Sequence, residues 1–338
     1  MSEPVVIVGA GLAGYNLARE LRKADAAVPI VVVSQDGAGF YSKPMLSNAL
    51  ASGKTAATLV MKSAEKMAEE LRARVLPRTR VTQVDASAQA LTLDSGEVLR
   101  YRDLVLAVGA DPIRLPLQGD AADAVLSVND LDDFATFAQA LDTSAAGQPA
   151  QRVVILGGGL IGCEFANDLL HSNYDVTVID LAPQPLGRLL PNHVADAFKT
   201  NLEQAGIKFA LSTTVEKVTK INDGEDYEVT LATGQTLVAD IVLSAIGLQP
   251  NTSLAKAANI QTSRGIVTNT LLETNQADIY AVGDCAEVNG TLLPFVMPIM
   301  QQARALAKTL SGQSTAVHYP AMPVAVKTPA APLTVLPA

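Results

Sequence analysis

Two glycine-rich segments of this chain have the residue types and the spacing that bind a pyrophosphate. They lie at Val5–Gly14 and Val153–Gly162, and each consists of an apolar run, the motif G-x-G-x-x-G and the start of a helical pattern. The first glycine permits a tight turn, the second lets the backbone approach a pyrophosphate, and the third lets helix and strand pack closely. The helix N-terminus then offers N–H groups to the phosphates. One copy is a weak signal, but two copies in this context predict two dinucleotide sites and electron transfer between them.

The residue at the end of the second strand of each unit can hydrogen-bond to the ribose of a bound dinucleotide. In the second unit this residue is Asp180, 18 positions after Gly162. A carboxylate there accepts hydrogen bonds from both ribose hydroxyls and repels a 2′-phosphate, which favours NADH over NADPH. In the first unit the corresponding residue is Ser34, 20 positions after Gly14. A hydroxyl can make one ribose contact but not two, so Ser34 alone does not assign the first site.

Composition excludes several classes of function. The 338 residues carry a formal net charge of −9, which argues against nucleic acid as a partner. Apolar content is 49%, yet no run reaches the roughly 18–20 apolar residues that a membrane span needs. The N-terminus has no basic segment before its apolar run, so no signal peptide is predicted and the expected location is the cytoplasm. The three histidines are scattered, and no metal site is predicted.

The cysteines are few and lie far apart. Cys163 and Cys285 are separated by 122 positions, and both fall inside the motifs. No C-x-x-C is present, so no local redox disulfide is predicted. We expect both side chains to pack as small apolar groups.

The elements that must position these motifs repeat along the chain. Each half has a βαβ unit, a small antiparallel excursion and a buried apolar strand that ends in glycine. These buried strands are predicted at Leu104–Val108, before Gly109, and at Ile241–Ile246, before Gly247. The shared order predicts an internal duplication at the scale of a domain.

Further patterns complete the predicted fold. A loop is predicted at Gln35–Ser47, a helix at Ala64–Arg74, a third buried strand at Asp278–Val282 and a helix at Pro298–Leu310. The fold class that follows is α/β, with two Rossmann-like dinucleotide-binding domains, one inserted in the other. A short C-terminal tail with β-like pieces completes the chain.

The motifs resemble those of the FAD-dependent pyridine nucleotide–disulfide oxidoreductases. Thr274 followed by Ala281–Asp284 fits the family pattern T-x6-A-x-G-D. Ala107–Ala110 resembles A-T-G-A with Val in place of Thr, and Ser244–Asn251 resembles A-x-G-x-x-P-N. The resemblance extends from residue 4 to about residue 330. It implies that the first glycine-rich loop binds FAD and the second binds NAD(H).

The domain organisation that the resemblance implies is discontinuous. An FAD-binding domain, 1–112 and 246–315, surrounds an NAD(H)-binding domain, 113–245. A shortened C-terminal interface segment, 316–338, follows.

The resemblance also implies roles for individual residues. Lys43 and Glu164 are the implied catalytic residues, because Lys43, together with Lys327, is a candidate cation beside the flavin and Glu164 matches an acid near the nicotinamide. A cation there stabilises reduced flavin. The implied cofactor-binding residues are Gly9, Gly11, Leu12, Ala13, Gly14, Ser34, Lys43, Pro44, Ala107, Gly109, Gly157, Gly159, Leu160, Ile161, Gly162, Glu164, Asp180, Gly247, Gly283, Asp284, Val296 and Lys327.

Within this fold, two segments are most similar to rubredoxin–NAD reductases. They are Phe40–Ser47 and Val326–Pro329. Members that reduce disulfides or peroxides carry a redox-active cysteine after the second strand, but this chain has no cysteine before Gly162. No thiolate is therefore placed at the flavin, and electrons are expected to pass directly to an external acceptor.

The resemblance implies an oxidoreductase that passes electrons from NADH through FAD to rubredoxin or a similar small iron–sulfur protein. The sequence does not decide whether the electrons serve alkane hydroxylation or the removal of oxygen or nitric oxide. A monomer is favoured, and the oligomeric state is open. One alternative is the ferredoxin reductase of a ring-hydroxylating dioxygenase, and a weaker one is an NADH-responsive flavoprotein of the apoptosis-inducing-factor type.

Overall fold

The computed structural model describes residues 3–143, 152–172 and 174–336. Contacts between residues divide the chain into two compact units. The first contains the described residues of Met1–Ser42, Val60–Asp111 and Gln249–Met322. The second contains those of Lys43–Leu59, Pro112–Leu248 and Pro323–Ala338.

Helices and strands are distributed over the whole described chain. The α-helices are α1 (Leu12–Ala24), α2 (Ala56–Leu59), α3 (Ala64–Leu71), α4 (Leu131–Thr143), α5 (Leu160–Leu169), α6 (Asn192–Gln204), α7 (Ser253–Ala257) and α8 (Val296–Leu310). The strands are β1 (Val5–Val8), β2 (Ile30–Val33), β3 (Arg74–Leu76), β4 (Val81–Asp85), β5 (Ala90–Leu93), β6 (Val98–Arg100), β7 (Asp103–Leu106), β8 (Ala110–Pro112), β9 (Leu126–Ser127), β10 (Arg152–Leu156), β11 (Asp175–Asp180), β12 (Lys208–Leu211), β13 (Val215–Ile221), β14 (Asp226–Leu231), β15 (Thr236–Ala239), β16 (Ile241–Ser244), β17 (Leu248–Pro250), β18 (Ile266–Thr268), β19 (Ile279–Ala281), β20 (Ala286–Val288), β21 (Val324–Val326) and β22 (Leu333–Val335).

The first unit is built around a parallel sheet of five strands in the order β19-β7-β1-β2-β3. Strands β1, β2 and β7 are buried along their whole length, as expected for apolar runs at the centre of a parallel sheet. Helix α1 packs through Tyr15, Leu17 and Leu21, all fully buried. Strands β4, β5 and β6 form a separate antiparallel sheet. The predicted excursion from the parallel sheet is thus confirmed in this unit.

The second unit repeats this arrangement. Its parallel sheet has the order β12-β11-β10-β16-β9, and β13, β14 and β15 form the antiparallel excursion. Strand β10 lies between β11 and β16, as β1 lies between β2 and β7. Helix α4 is capped by Asp130, whose Oδ1 accepts the Asp133 N–H at 2.8 Å. The α/β fold class and the internal duplication are therefore confirmed.

One predicted loop and two predicted helices differ from the structure. The loop predicted at Gln35–Ser47 contains the start of a 3₁₀ helix, Lys43–Asn48. Helix α3 stops at Leu71 rather than Arg74, because Arg72 adopts a left-handed conformation with φ of 46°. Helix α8 begins at Val296, two residues before the predicted start, so that its proline lies within the first turn.

The boundaries of the two units also differ from the predicted domain limits. The chain crosses between units after Asp111 and after Leu248, one and three residues from the predicted positions. Lys43–Leu59 belongs to the second unit, whereas the sequence predicts it in the first. The tail folds into a hairpin of β21 and β22 within the second unit. Across the described ranges, no helix combines the length and apolar character that crossing a bilayer requires.

Candidate functional site

The first glycine-rich loop lies in the first unit, between β1 and α1. Gly9 has φ of +116°, and a Cβ there would lie 2.1 Å from the carbonyl oxygen of Ala107. A Cβ on Gly14 would lie 1.9 Å from the carbonyl oxygen of Gly9. A Cβ on Gly11, by contrast, would meet no atom within 4 Å. Two glycines therefore permit close packing of the loop, and the third leaves open space above it.

The open space lies at the N-terminus of a 13-residue helix. Gly11 is the N-cap of α1, and no side chain caps the helix there. The N–H groups of the first turn and the positive end of the helix dipole favour an anion. This cradle fits the pyrophosphate of a dinucleotide such as FAD, because a side chain at Gly11 would occupy the same space.

The other glycine motifs of the first unit lie beside this loop. The N–H of Ala107 donates to the carbonyl of Val8, the residue before Gly9, at 2.8 Å. Gly283 has φ of +82°, and a Cβ there would lie 2.7 Å from the Cβ of Ala13 in the first turn of α1. The structure therefore brings the Gly283–Asp284 motif to the loop, as the prediction for a shared site requires.

The end of β2 carries a carboxylate that the sequence prediction missed. Ser34 is buried, and its hydroxyl donates to Asp36 Oδ1 at 2.6 Å. The same carboxylate oxygen accepts the N–H of Ala38 at 2.8 Å. Ser34 directly follows the strand, whereas Asp36 lies two residues further along. An acid within the turn that follows β2 was the signal available in the sequence.

The second glycine-rich loop, in the second unit, has the same geometry. A Cβ on Gly157, where φ is +106°, would lie 2.5 Å from the carbonyl oxygen of Ala245. A Cβ on Gly162 would lie 1.9 Å from the carbonyl oxygen of Gly157, and one on Gly159 would meet nothing within 4 Å. Gly159 is the N-cap of α5, again without a capping side chain. This loop therefore fits a second dinucleotide in the same way.

Asp180, at the end of β11, lies directly against the second loop. Its Oδ2 accepts the N–H of Gly158, and its Oδ1 accepts the N–H of Ala182 at 2.7 Å. A carboxylate oxygen can accept two hydrogen bonds, so each oxygen keeps acceptor capacity. The structure thus places the predicted ribose acid at the loop. Gly247, the other predicted residue near this end of the sheet, has φ of +122°.

Helix α5 carries a buried cluster of charged and polar side chains. Glu164, 3% exposed, is paired with the Lys327 amine. The Ser47 hydroxyl donates to Glu164 Oε2 at 2.6 Å, and the Lys327 N–H donates to Glu164 Oε1 at 3.0 Å. Two of these residues, Glu164 and Lys327, were predicted as site residues. Ser47 was missed as a partner, although it lies in the Phe40–Ser47 segment.

The next turn of α5 holds the same two chain segments through their backbones. Asp168 accepts the N–H groups of Leu50 at 2.9 Å and Ala51 at 3.0 Å. Burial raises the pKa of the Asp168 carboxyl, and the two N–H donors oppose that shift. Asn167 Oδ1 accepts the N–H of Ala330 at 3.0 Å. One helix face therefore fixes both the 3₁₀ segment and the C-terminal hairpin.

Lys43 has a polar partner elsewhere in the second unit. Its amine donates to Asn129 Oδ1 at 2.7 Å, within the second unit. Pro44 follows it in the 3₁₀ helix, and Val296 lies at the start of α8 in the first unit. The roles that the resemblance implies for Lys43, Pro44 and Val296 remain predictions.

Both cysteines are buried and free. Burial raises the pKa of the Cys285 thiol to about 12, and burial likewise raises the pKa of the Cys163 thiol. Neither thiol forms a nucleophilic thiolate near neutral pH. Within the described ranges, no group of three His, Cys, Asp or Glu residues is arranged to hold a metal ion.

Comparison with known protein families gives two matches. Residues 3–309 match the model described as pyridine nucleotide-disulphide oxidoreductase. Residues 316–338 match the model described as rubredoxin binding C-terminal domain.

Curated relatives align over nearly the whole chain. Rubredoxin-NAD(+) reductase of Acinetobacter baylyi is 62% identical, over 99% of this chain and 85% of the relative. The protein of the same name from Alcanivorax borkumensis is 46% identical, over 99% and 86%. Nitric oxide reductase FlRd-NAD(+) reductase of Vibrio vulnificus is 38% identical, over 98% and 85%.

Solved structures of similar fold include two electron-transfer reductases. Putidaredoxin reductase in its covalent complex with putidaredoxin superposes with a TM-score of 0.87 at 30% identity, over 97% of this chain and 79% of that one. The ferredoxin reductase for the CYP199A2 system of Rhodopseudomonas palustris also has a TM-score of 0.87, at 28% identity over 95% and 80%. The duplicated glycine loops, the sheet order and these matches lead to one assignment: the chain belongs to the pyridine nucleotide-disulphide oxidoreductase family.

Proposed function

We propose that this chain is an NADH-dependent, FAD-containing reductase of rubredoxin. The observation that carries the proposal is the combination of two dinucleotide cradles with a C-terminal segment that matches a rubredoxin-binding domain. The reaction is NADH + 2 oxidised rubredoxin → NAD⁺ + H⁺ + 2 reduced rubredoxin. Curated relatives named for this reaction, 62% and 46% identical, support the proposal.

Bound FAD supplies the junction between a two-electron donor and a one-electron acceptor, because a flavin accepts two electrons together and releases them singly. Residues of the first unit would hold it: the N–H groups at the α1 N-terminus would bind the pyrophosphate, and Asp284 would accept a hydrogen bond from the ribitol. In the second unit, the α5 N-terminus meets the NADH pyrophosphate and Asp180 meets the ribose. The family resemblance assigns Lys43 and Lys327 to the flavin as cations, and Glu164 pairs with Lys327.

The acceptor is tested by offering three proteins separately to the FAD-loaded chain with NADH: rubredoxin, ferredoxin and cytochrome c. We expect reduction of rubredoxin to be the fastest. The ferredoxin reductase is the second candidate, favoured by the two solved reductases of similar fold. Faster turnover with ferredoxin than with rubredoxin would show that ferredoxin is the acceptor.

The expected site of action is the cytoplasm, where NADH is supplied, and cell fractionation tests this location.

The Asp180 carboxylate is expected to select NADH. Wild-type kcat/KM should be at least about tenfold higher for NADH than for NADPH, a difference of about 1.4 kcal/mol. Asp180→Ala should narrow this ratio by raising KM for NADH, because a ribose acceptor is lost. Equal kcat/KM values for the two nucleotides in the wild type would show that Asp180 does not read the ribose.

Neither cysteine is expected to carry electrons. Replacing both Cys163 and Cys285 by Ser should leave turnover with NADH and rubredoxin within about threefold, since both thiols are buried and protonated. Anaerobic reduction of the wild type should show no thiolate-to-flavin charge-transfer band. A double variant that retains FAD but has lost turnover would contradict the direct route.

A further inference from the structure

The C-terminal part of the chain has a charge that is opposite to that of the rest. All 34 Asp and Glu residues precede Val288, so the last 51 residues contain no acid. The same stretch contains Arg304, Lys308 and Lys327. A cationic region within a chain of net charge −9 is a candidate surface for an anionic partner.

Two of these cations lie on the outer face of α8. Arg304 and Lys308 are exposed and four residues apart, so they lie on one side of the helix. The opposite side packs into the first unit through Gln302 and Leu306, which are buried. The amphipathic pattern of α8 therefore fixes the direction in which Arg304 and Lys308 point.

The segment after α8 forms the second wall of a groove. Val317 is buried, and its N–H donates to the carbonyl of Thr270 at 2.8 Å. The Tyr319 hydroxyl accepts from Gln302 Nε2 at 2.9 Å. Because alternate residues of an extended segment point in opposite directions, His318 then faces outward between them. The result is an open groove of about 280 Å³ whose lining includes Arg304, Lys308 and His318.

The two cationic side chains of the groove, Arg304 and Lys308, are not neutralised by ion pairs. Across the described part of the chain, no ion pair includes Arg304, Lys308 or His318. The other lining residues include Gln301 and Thr315, which are uncharged. The two charged side chains that line the groove, Arg304 and Lys308, are therefore both positive.

The groove is close to the loop assigned to FAD. Gln302 Oε1 accepts the N–H of Gly283 at 2.7 Å, while its Nε2 donates to Tyr319. A single side chain of α8 thus connects the Gly283–Asp284 loop to the wall of the groove. A helix with its side chains is about 10–12 Å across, so a protein seated in the groove lies about one helix diameter from that loop.

We propose that this groove, whose charged side chains are Arg304 and Lys308 and whose second wall carries His318, is a docking surface for an anionic face of rubredoxin. The inference rests on the proposed function and names the surface that it uses. The match to a rubredoxin-binding domain begins at residue 316, within the groove wall, whereas Arg304 and Lys308 lie outside that match. Opposite charges at the rim of an interface accelerate encounter, and salt weakens the effect.

The test compares kcat/KM for rubredoxin between two double charge reversals of the FAD-loaded chain. The first is Arg304→Glu with Lys308→Glu. The matched control is Lys66→Glu with Lys217→Glu, two exposed lysines that do not line the groove. Both doubles change net charge by the same amount. The electron acceptors are rubredoxin from Acinetobacter baylyi and, as an uncharged acceptor, menadione.

At low ionic strength, the groove reversal should lower kcat/KM for rubredoxin by about tenfold or more. The rate of menadione reduction should stay within about twofold of the wild-type rate. The control variant should have the wild-type kcat/KM with both acceptors. Wild-type turnover with rubredoxin should fall as salt rises, and the groove variant should respond less. If the charge reversal also slows menadione reduction, the neutral variant Arg304→Gln with Lys308→Gln is measured instead. It should again lose kcat/KM for rubredoxin selectively, by a smaller factor.

Two failures are distinguishable. If the wild type reduces rubredoxin rapidly and the groove variant is as fast as the control, the docking surface is wrong and the proposed function stands. If the wild type reduces menadione but not rubredoxin, the proposed function fails and this inference fails with it.

Discussion

Gly14→Ala is expected to produce a protein that is purified almost without FAD. The new Cβ would lie 1.9 Å from the carbonyl oxygen of Gly9 and 3.1 Å from its carbonyl carbon, both backbone atoms. Since neither can move without shifting β1 or α1, the loop must distort, at a cost of about 3 kcal/mol. Flavin occupancy should fall below about one tenth of the wild-type value, because each 1.4 kcal/mol is a factor of ten.

The measurement is the ratio of flavin to protein absorbance in the purified variants, together with thermal unfolding. Gly37→Ala is the matched control, because its Cβ would meet only Arg78 Nη2, at 3.8 Å. Gly11→Ala separates binding from folding. The Gly11→Ala apoprotein should unfold like the wild-type apoprotein, because the new Cβ meets no protein atom. Its affinity for FAD should be lower than that of the wild type, because the Cβ enters the open cradle. Full flavin retention in Gly14→Ala would contradict the assignment of this loop.

Lys327→Met is expected to destabilise the protein by about 3 kcal/mol, because it leaves a buried carboxylate without its cation. The Glu164 side chain is 4% exposed and that of Lys327 is 28% exposed, so the Glu164 carboxylate cannot regain full hydration. Ser47 and the Lys327 N–H remain as donors, which keeps the loss near the lower end for buried pairs. The measurement is the free energy of unfolding in denaturant.

The matched control is Lys208→Met in the same unit. Its partner is Asp175, and their side chains are 63% and 42% exposed, so its loss should stay below about 1 kcal/mol. Adding Glu164→Gln to Lys327→Met should recover part of the lost stability, since the uncompensated charge is removed. An equal, small effect of Lys327→Met and Lys208→Met would show that the buried pair is energetically unimportant.

The features that could be predicted from the sequence are those that depend on local spacing. Gly9 and Gly14 are only five residues apart. The close approach that excludes a Cβ at Gly14 therefore depends on the local backbone alone. The position of Asp180 could be predicted because it ends the strand that follows the helix after the second glycine-rich loop. The apolar runs of β1, β7 and β16 indicated central parallel strands for the same reason.

The features that could not be predicted join residues that are far apart in the chain. Ser47, Glu164 and Lys327 come from three segments, separated by 117 and 163 positions. No periodicity relates them, and only the packing of α5 brings them together. The groove on α8 is similar. The absence of acids after Glu287 is visible in the sequence, but the outward direction of His318 depends on the burial of Val317 and the partial burial of Tyr319.

The central claim is that electrons pass from NADH through bound FAD to rubredoxin, one at a time. The most direct test is an anaerobic titration in which a limiting amount of NADH is added to excess oxidised rubredoxin and catalytic FAD-loaded protein. The bleaching of rubredoxin absorbance is then compared with the NADH consumed. The account predicts two molecules of rubredoxin reduced per NADH, with none reduced when the protein has been stripped of FAD. Oxidation of NADH without bleaching, or equal bleaching by the FAD-free protein, would contradict it.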